Sequence, residues 1–500
     1  MLKTFFLVGW VSISAGAFAE RINHAGRILG APPVVTNSIL FNTPEADAIV
    51  SAMQIFPTTN AWNEDISHRP VLTNSDAMMA QISSDLAADR RALIAFFEMN
   101  FVLVPDSQPL VPINFLLYGG ESDPSPYPIP SNMPIEGWPK VTGTNALQQW
   151  QQDTNDSDRH AILVQPGSGF IWEMWQARRT NSQWQASNGA KFDLKSNTLR
   201  PLDWTSGDAA GLAMFPALPR FDECERGLVE HACRIVVKRT RREHIYPATH
   251  YASSTPATNY NVPAMGQRVR LKSNFVIPPA WTKHEKAVLL ALKKHGAIVA
   301  DNGNFFSISV TPDDRWPANA FSHLTSIGLT NFEVIQTTGE NEGPRSPGAP
   351  TANAGPDLNV PPGLPAQLHG FVDFSGSPPA IQWRPYSGPG AVTFGDATQT
   401  NTTANFNAPG VYTLLLSAED GVHAVAYDAV LVTVTPAITV MIARAGTNLN
   451  LTWTGGTPPF VVERRAFLSA DAWNGAVTTS NQNASMPLTR TNGFFRVRGN

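Results

Sequence analysis

The chain has 500 residues, 42% of them hydrophobic and 15% charged, with a formal net charge of −4 and a pI near 6.3. A charged fraction below the ~25% usual for globular proteins, beside so many apolar side chains, excludes a disordered chain. There is no basic field to attract nucleic acid, and the length exceeds what one hydrophobic core serves, so about two to four domains are expected.

Residues 1–19 read as a cleavable export signal. Lys3 supplies the positive start, residues 4–13 form a short apolar stretch, and Ala17-Phe18-Ala19 is a small-x-small cleavage site that would leave Glu20 first. The apolar run falls far short of the roughly 20 residues that cross a bilayer, and no later segment approaches that length. A secreted product with no membrane span is the expectation.

The next segment, residues 20–338, mixes helix and strand signals. Thr43-Pro44-Glu45 offers an N-cap, a proline at the first helical position and an acid in the first turn. Ser75 or Asp76 can cap a helix whose apolar positions continue through Met78, Ile82, Leu86, Leu93 and Phe97. Residues 121–130 are too rich in proline for a helix or a central strand. They form a stiff loop bearing Glu121, Asp123 and Tyr127, suited to a hydroxyl-rich ligand or to Ca²⁺, the alternative being a rigid surface connection.

Residues 161–164 and 170–175 are strand-like and flank a Pro-Gly-Ser-Gly turn. Along the second, Trp172 and Met174 share one face while Glu173 and Trp175 share the other. A carboxylate beside an open indole would suit a sugar, because aromatic faces stack on sugar C–H faces. Nine of the 13 tryptophans lie in residues 20–338, and core packing explains them equally well.

Residues 203–211, Asp-Trp-Thr-Ser-Gly-Asp-Ala-Ala-Gly, look most like a site. Small side chains surround Asp208 and let backbone approach a ligand, and Trp204 offers a stacking face. Glycoside hydrolysis needs two carboxyls, one protonated and one ionised, and Glu223 is the expected partner. The competing reading is a loop whose aspartates cap turns. Cys224 and Cys233, the two cysteines of the chain, are expected to form a disulfide closing a small loop in an oxidising compartment.

Residues 228–238 read as a strand with His231 on its apolar face, a core histidine rather than a catalytic one. His160 precedes a strand and His250 follows a proline, and these two are the candidates for general base or ligand. No metal-binding spacing joins them, so the metal remains unknown and no cofactor is assigned beyond the Ca²⁺ reading above. Arg239, Arg241 and Arg242 read as a solvated strand end. Thr282 and Glu285 make a capping box with Gly296 as the stop. Asn302-Gly303 between apolar runs is a two-residue hairpin signal, which makes Ala300-Asp301-Asn302-Gly303 a turn. A β-rich α+β module is the expected architecture.

Residues 339–350, rich in proline and glycine, read as a linker. Beyond it, "ANAGPDLNV" (352–360), "YSGPGAVTF" (386–394), "APGVYTLLLSAEDG" (408–421) and "AVLVTV" (429–434) resemble a PKD-like module of the immunoglobulin-sandwich type over residues 351–435. The resemblance implies a spacer or weak binder. Residues 436–500, with "LNLTWTGG" and "GFFRVRGN" as outer strands, form a second all-β unit of Ig- or fibronectin-like kind. Residues 20–338 resemble segments of exported bacterial proteins through "SDPSPYPIP", "DWTSGDAAGL" and "PATHYA", and that resemblance implies no activity. Export, modular layout, tryptophan density and acidic loops together point to a secreted polysaccharide-active protein, a glycoside hydrolase with paired carboxylates. A non-enzymatic extracellular glycan-binding or adhesion protein is the alternative, with a polysaccharide as the partner in both.

Overall fold

The computed structural model describes residues 21–139, 146–153, 157–467, 472–488 and 493–499; the export signal expected over residues 1–19 lies outside them. The chain divides into two compact units, at Pro347 and Gly348.

The N-terminal unit opens with β1 (Ile39–Leu40), α1 (Pro44–Ser51), α2 (Ser75–Asp85), β2 (Leu93–Phe97), β3 (Val102–Leu103), β4 (Ile113–Phe115) and α3 (Leu147–Gln152). There follow β5 (Ala161–Gln165), β6 (Phe170–Trp175), β7 (Arg178–Thr180), β8 (Gln183–Ala186), β9 (Asn188–Asp193) and α4 (Phe221–Arg226). The unit closes with β10 (Cys233–Val237), β11 (Arg268–Leu271), α5 (Lys283–Lys294), β12 (Ala297–Asn302), β13 (Phe306–Val310) and β14 (Phe332–Val334). A five-stranded sheet has the order β1-β3-β5-β6-β9, a six-stranded one β14-β11-β12-β10-β13-β2, and β4-β8-β7 form a small third.

Local chemistry explains the helices. Thr43 accepts from Ala46 N to open α1, and Thr282 and Glu285 cap α5 reciprocally. Helix α5 buries Val288, Leu289 and Leu292, carries Lys293 and Lys294 in its last turn, and stops at Gly296, whose φ is +68°.

Three sequence expectations are corrected. Helix α2 ends at Asp85, and Leu93 and Phe97 belong to β2, where a run of large apolar residues pairs in parallel with β13. The strand expected over 228–238 covers only Cys233–Val237. Asn302-Gly303 closes no hairpin, because β12 and β13 are not neighbours: β10 lies between them, parallel to one and antiparallel to the other.

Cys224 and Cys233 are free thiols, both fully buried, against the expected bridge. Burial raises both thiol pKa values, and Cys233 is close enough to add to the rise at Cys224. The run after Thr338 also differs from a free linker. Arg345 Nη2 donates to Thr338 Oγ1 (2.6 Å), Nη1 donates to Glu64 (3.3 Å), and the guanidinium lies 4.6 Å from the Tyr246 ring centre.

The C-terminal unit contains two β modules with separate cores. The first packs Trp383, Tyr412, Leu414, Leu416 and Val432, and the second Leu451, Trp453, Phe460 and Val462. In the first, Ala380–Ser387, Gly410–Glu419 and Ala426–Val434 pair antiparallel in sequence, and a separate three-stranded sheet carries Ala366–His369, Asn401–Phe406 and Val392–Phe394. That is an Ig-like arrangement of two sheets.

Candidate functional site

One face of the six-stranded sheet carries a row of polar side chains. In β10, Cys233, Ile235 and Val237 point into the apolar core, so Arg234 points the other way. Arg234 is 2% exposed and Nη1 donates to Ser309 Oγ on β13 at 2.6 Å. Ser309 Oγ in turn donates to Glu98 Oε1 at 2.8 Å, just past the end of β2. On the other side, the β10–β12 register slips: Ile235 faces Val299, but Val236 faces Asp301. The extra residue, Ala300, moves Asp301 onto the face of Arg234, and its carboxylate lies 3.8 Å from Nη2. Three adjacent strands and the residue after a fourth thus contribute Asp301, Arg234, Ser309 and Glu98.

The loop after β9 lies against this row and joins it to the five-stranded sheet. Asp208 is fully buried and takes a two-pronged pair from Arg234, with Nε donating to Oδ2 at 2.9 Å. Ala210 N donates to the bulged Ala300 carbonyl (2.9 Å). Across the loop, Glu173 of β6 accepts from Met214 N and Phe215 N, and His160 Nε2 lies 2.9 Å from Gly207 O. At Gly207 a Cβ would overlap the Met214 methyl and make ordinary contact with Glu173 Cβ at 3.7 Å, so a side chain there would displace the Met214 terminus. Gly211, at φ +72°, leaves no room for a Cβ beside the Trp204 carbonyl, 2.6 Å away.

His160 Nδ1 lies 2.8 Å from Glu136 Oε2. With acceptors at both ring nitrogens the imidazole is held as a cation. Burial opposes the charge, yet Glu136 raises the pKa to about 10. Glu136 moves the opposite way: burial would raise it, but His160 holds it below the usual carboxylate value. Burial, then the Glu136 charge, raises Glu98. Burial, then Asp208, raises Asp301 to about 7 against the pull of Arg234. Burial likewise lifts Glu173 to about 7, opposed by its N–H donors. Water reaches a quarter of the Asp301 side chain and 15% of Glu136, and Glu98 is half-buried.

Of the residues singled out in sequence, His160 and Asp208 fall in this cluster. Glu223 does not join Asp208: its carboxylate is held by Arg220 and by His231 Nε2 at 3.3 Å. Burial opposes that charge, but Arg220 first and His231 second lower its pKa to about 2. The Asp208–Glu223 pairing is therefore replaced, since each acid is consumed by its own arginine. His250 borders the cluster, with Nδ1 2.6 Å from Ala209 O and its ring stacked on Tyr251.

The acidic loop is structural. Arg200 pairs with Asp123, which also accepts from Lys191 N (2.7 Å), and Glu121 accepts from Thr205 N (3.2 Å). Tyr127 is fully buried and donates to the Asp123 carbonyl (3.0 Å), so it offers a ligand nothing. Trp204 is half-buried over Arg200 at 5.5 Å. Trp175 donates to Asp158 (3.2 Å) and packs on Tyr118, while its strand neighbour Glu173 is sealed inside. Among the described residues, no group of three His, Cys, Asp or Glu is arranged to hold a metal ion.

No protein-family model and no curated protein matches this chain. Among solved structures it is similar to the PKD domain of the KIAA 1837 protein, at 25% identity over 17% of this chain and 84% of that one, with a TM-score of 0.15. A PKD domain of human KIAA0319 is similar at 21% identity over 20% of this chain and 91% of that one, with a TM-score of 0.16.

Sequence reasoning missed Glu98, Glu136, Arg234 and Asp301. Arg234 carried a signal: an arginine inside Cys-Arg-Ile-Val-Val is a charge in a buried strand, and such a charge requires a partner. Asp301 was hidden by its Asn-Gly neighbours and by a bulge that no spacing announces.

Proposed function

We propose that the chain is an exported polysaccharide-active hydrolase whose working carboxyls are Asp301 and Glu136, with Glu98 beside them. One observation carries this reading: three carboxyls, Glu98, Glu136 and Asp301, reach solvent around the buried Arg234 and His160, and their surroundings differ, with burial and Asp208 pushing Asp301 up while His160 holds Glu136 down. Glycosidic cleavage needs that division, a protonated acid to supply the leaving oxygen and an ionised one to act at the anomeric carbon or on water. Asp301 is the proton donor and Glu136 the ionised partner. His160 is a positioning residue, fixed at both nitrogens and so orienting Glu136. The apolar start of the sequence supports export, and no described helix is long and apolar enough to cross a membrane.

The test is release of reducing ends from a polysaccharide panel by the purified protein. Asp301→Asn and Glu136→Gln should each lower kcat by about 10³-fold or more while the fold persists. Wild-type turnover in both variants would refute the assignment. A second reading, glycan binding without cleavage, is favoured by Tyr118, exposed beside Leu116 and Leu117 with its ring 6.0 Å from that of Trp175. Retention on a glycan without product, abolished by Tyr118→Ala, would establish it.

A further inference from the structure

We infer that two copies of the chain pair edge to edge through the strand Thr439–Ala445 of the last module, forming a weak two-fold dimer. The inference is independent of the hydrolase reading. This strand lies at one edge of a three-stranded sheet and pairs on one side only, with Asn448–Thr454, in an unbroken register over its seven residues. Ala445 and Asn448 close a two-residue turn in which Gly446 has φ +61°. Such a closing pair exchanges both backbone bonds, and bonded pairs alternate from there, so Ala445, Ala443, Met441 and Thr439 turn their N–H and C=O groups toward Asn448–Thr454. Trp453 N, which donates to Gln482 O (3.0 Å) on the far side of that neighbour, follows the same alternation. The N–H and C=O groups of Val440, Ile442 and Arg444 therefore point off the sheet, and among the described residues no backbone bond receives them.

What this edge presents is complementary to itself. Antiparallel pairing about an axis at Ile442 sets Ile442 against Ile442 and Val440 against the second copy's Arg444, so every outward group meets a partner. On the other face Met441 meets the second copy's Ala443. Ile442 is 51% exposed although it sits opposite the fully buried Leu451, and Met441 is 71% exposed; pairing covers both. Arg444 is the one charge of the strand. The two arginines of a pair would lie about 14 Å apart along the strands, beyond the Debye length of roughly 8 Å, and do not repel. The other edges of the C-terminal unit are closed to such pairing. Ala380–Ser387 carries Arg384, Pro385 and a register break, and Asn474–Thr479 is bulged. Asn483–Pro487 ends in proline, Phe494–Arg498 bears two arginines, and the rest run three or four residues. Thr439–Ala445 has no proline, lysine, acid or break. One strand edge covers less than the ~1,200 Å² of a stable interface, so the Kd is on the order of 100 µM.

Sedimentation of the full chain from residue 20, over about 5 to about 500 µM, tests the dimer. The weight-average mass should rise from one chain to about one and a half chains or more. Met441→Lys with Ala443→Lys sets lysines face to face across the axis and should weaken association about 10-fold or more, with an unchanged melting temperature. Met441→Glu with Ala443→Lys sets opposite charges at the same places and should restore association to within about threefold of wild type. A single chain at every concentration would overturn the inference. Association undiminished in the two-lysine variant would also overturn it, placing the contact elsewhere. A Glu–Lys variant as weak as the two-lysine one would overturn the two-fold register and the dimer with it.

Discussion

Arg234 and Asp208 meet as a two-pronged pair wholly withdrawn from water, on two segments 26 residues apart in sequence. Asp208 is therefore a fixed counter-charge, closed off from solvent. Asp208→Asn keeps the shape and strands a buried guanidinium, with Asp301 3.8 Å away as the remaining carboxylate. Urea unfolding should show a loss of about 3–5 kcal/mol. Unchanged stability would mean that the pair does not hold the loop to the sheet.

Asp301 should make the protein more stable in acid than in mild alkali. Its native pKa of about 7 lies above the ordinary 3.8. The native state therefore keeps the proton more tightly, and this contribution, complete below about 3.8, is lost as pH rises through about 7. Asp301→Asn removes the ionisation. Melting temperatures of the two proteins should agree near pH 4 and diverge above pH 7, with the variant higher by about 2 °C or more. Parallel curves across that range would contradict the assignment.

His160 adds a second slope of the same sign at higher pH. Its value of about 10 against an ordinary 6.5 gives stability that is complete below about 6.5 and is lost as pH rises toward 10. Glu136→Gln removes the partner charge and should shift that loss to lower pH. Nitrogen NMR of His160 at pH 8 should show both ring nitrogens protonated in the wild type. A neutral tautomer there would exclude the imidazolium.

Where the N-terminal unit ends can be tested by truncation. A chain stopped after Pro347 should melt as that unit does in the full protein. Stopping after Gly343 removes Arg345 from Glu64, Thr338 and Tyr246, and should cost about 1–3 kcal/mol. Equal stability of the two truncations would show that Arg345 contributes nothing.

Features with local causes were legible in the sequence. The α1 and α5 caps, the β5–β6 hairpin and the paired strands of the C-terminal modules each follow from a cap, a turn or an alternation within a dozen residues. The site was legible only in part. His160 and the Asp208 loop stood out, but their partners did not: sheet order places Glu98, one extra residue in β12 places Asp301, and Glu136 comes from a turn that bonds to His160. Glu223 looked available because nothing in the sequence shows that Arg220 and His231 occupy it.

The loop carrying Gly207 and Asp208 takes one set of bonds from each large sheet: His160 and Glu173 on one side, Arg234 and the Ala300 carbonyl on the other. The loop supplies the main counter-charge to Arg234 of one sheet and the N–H donors to Glu173 of the other. An intermediate with only the six-stranded sheet formed would hold Arg234 without its main counter-ion, and one with only the five-stranded sheet would hold Glu173 without its donors. Loss of the loop would therefore weaken both sheets at once, and a single melting transition of the N-terminal unit is expected.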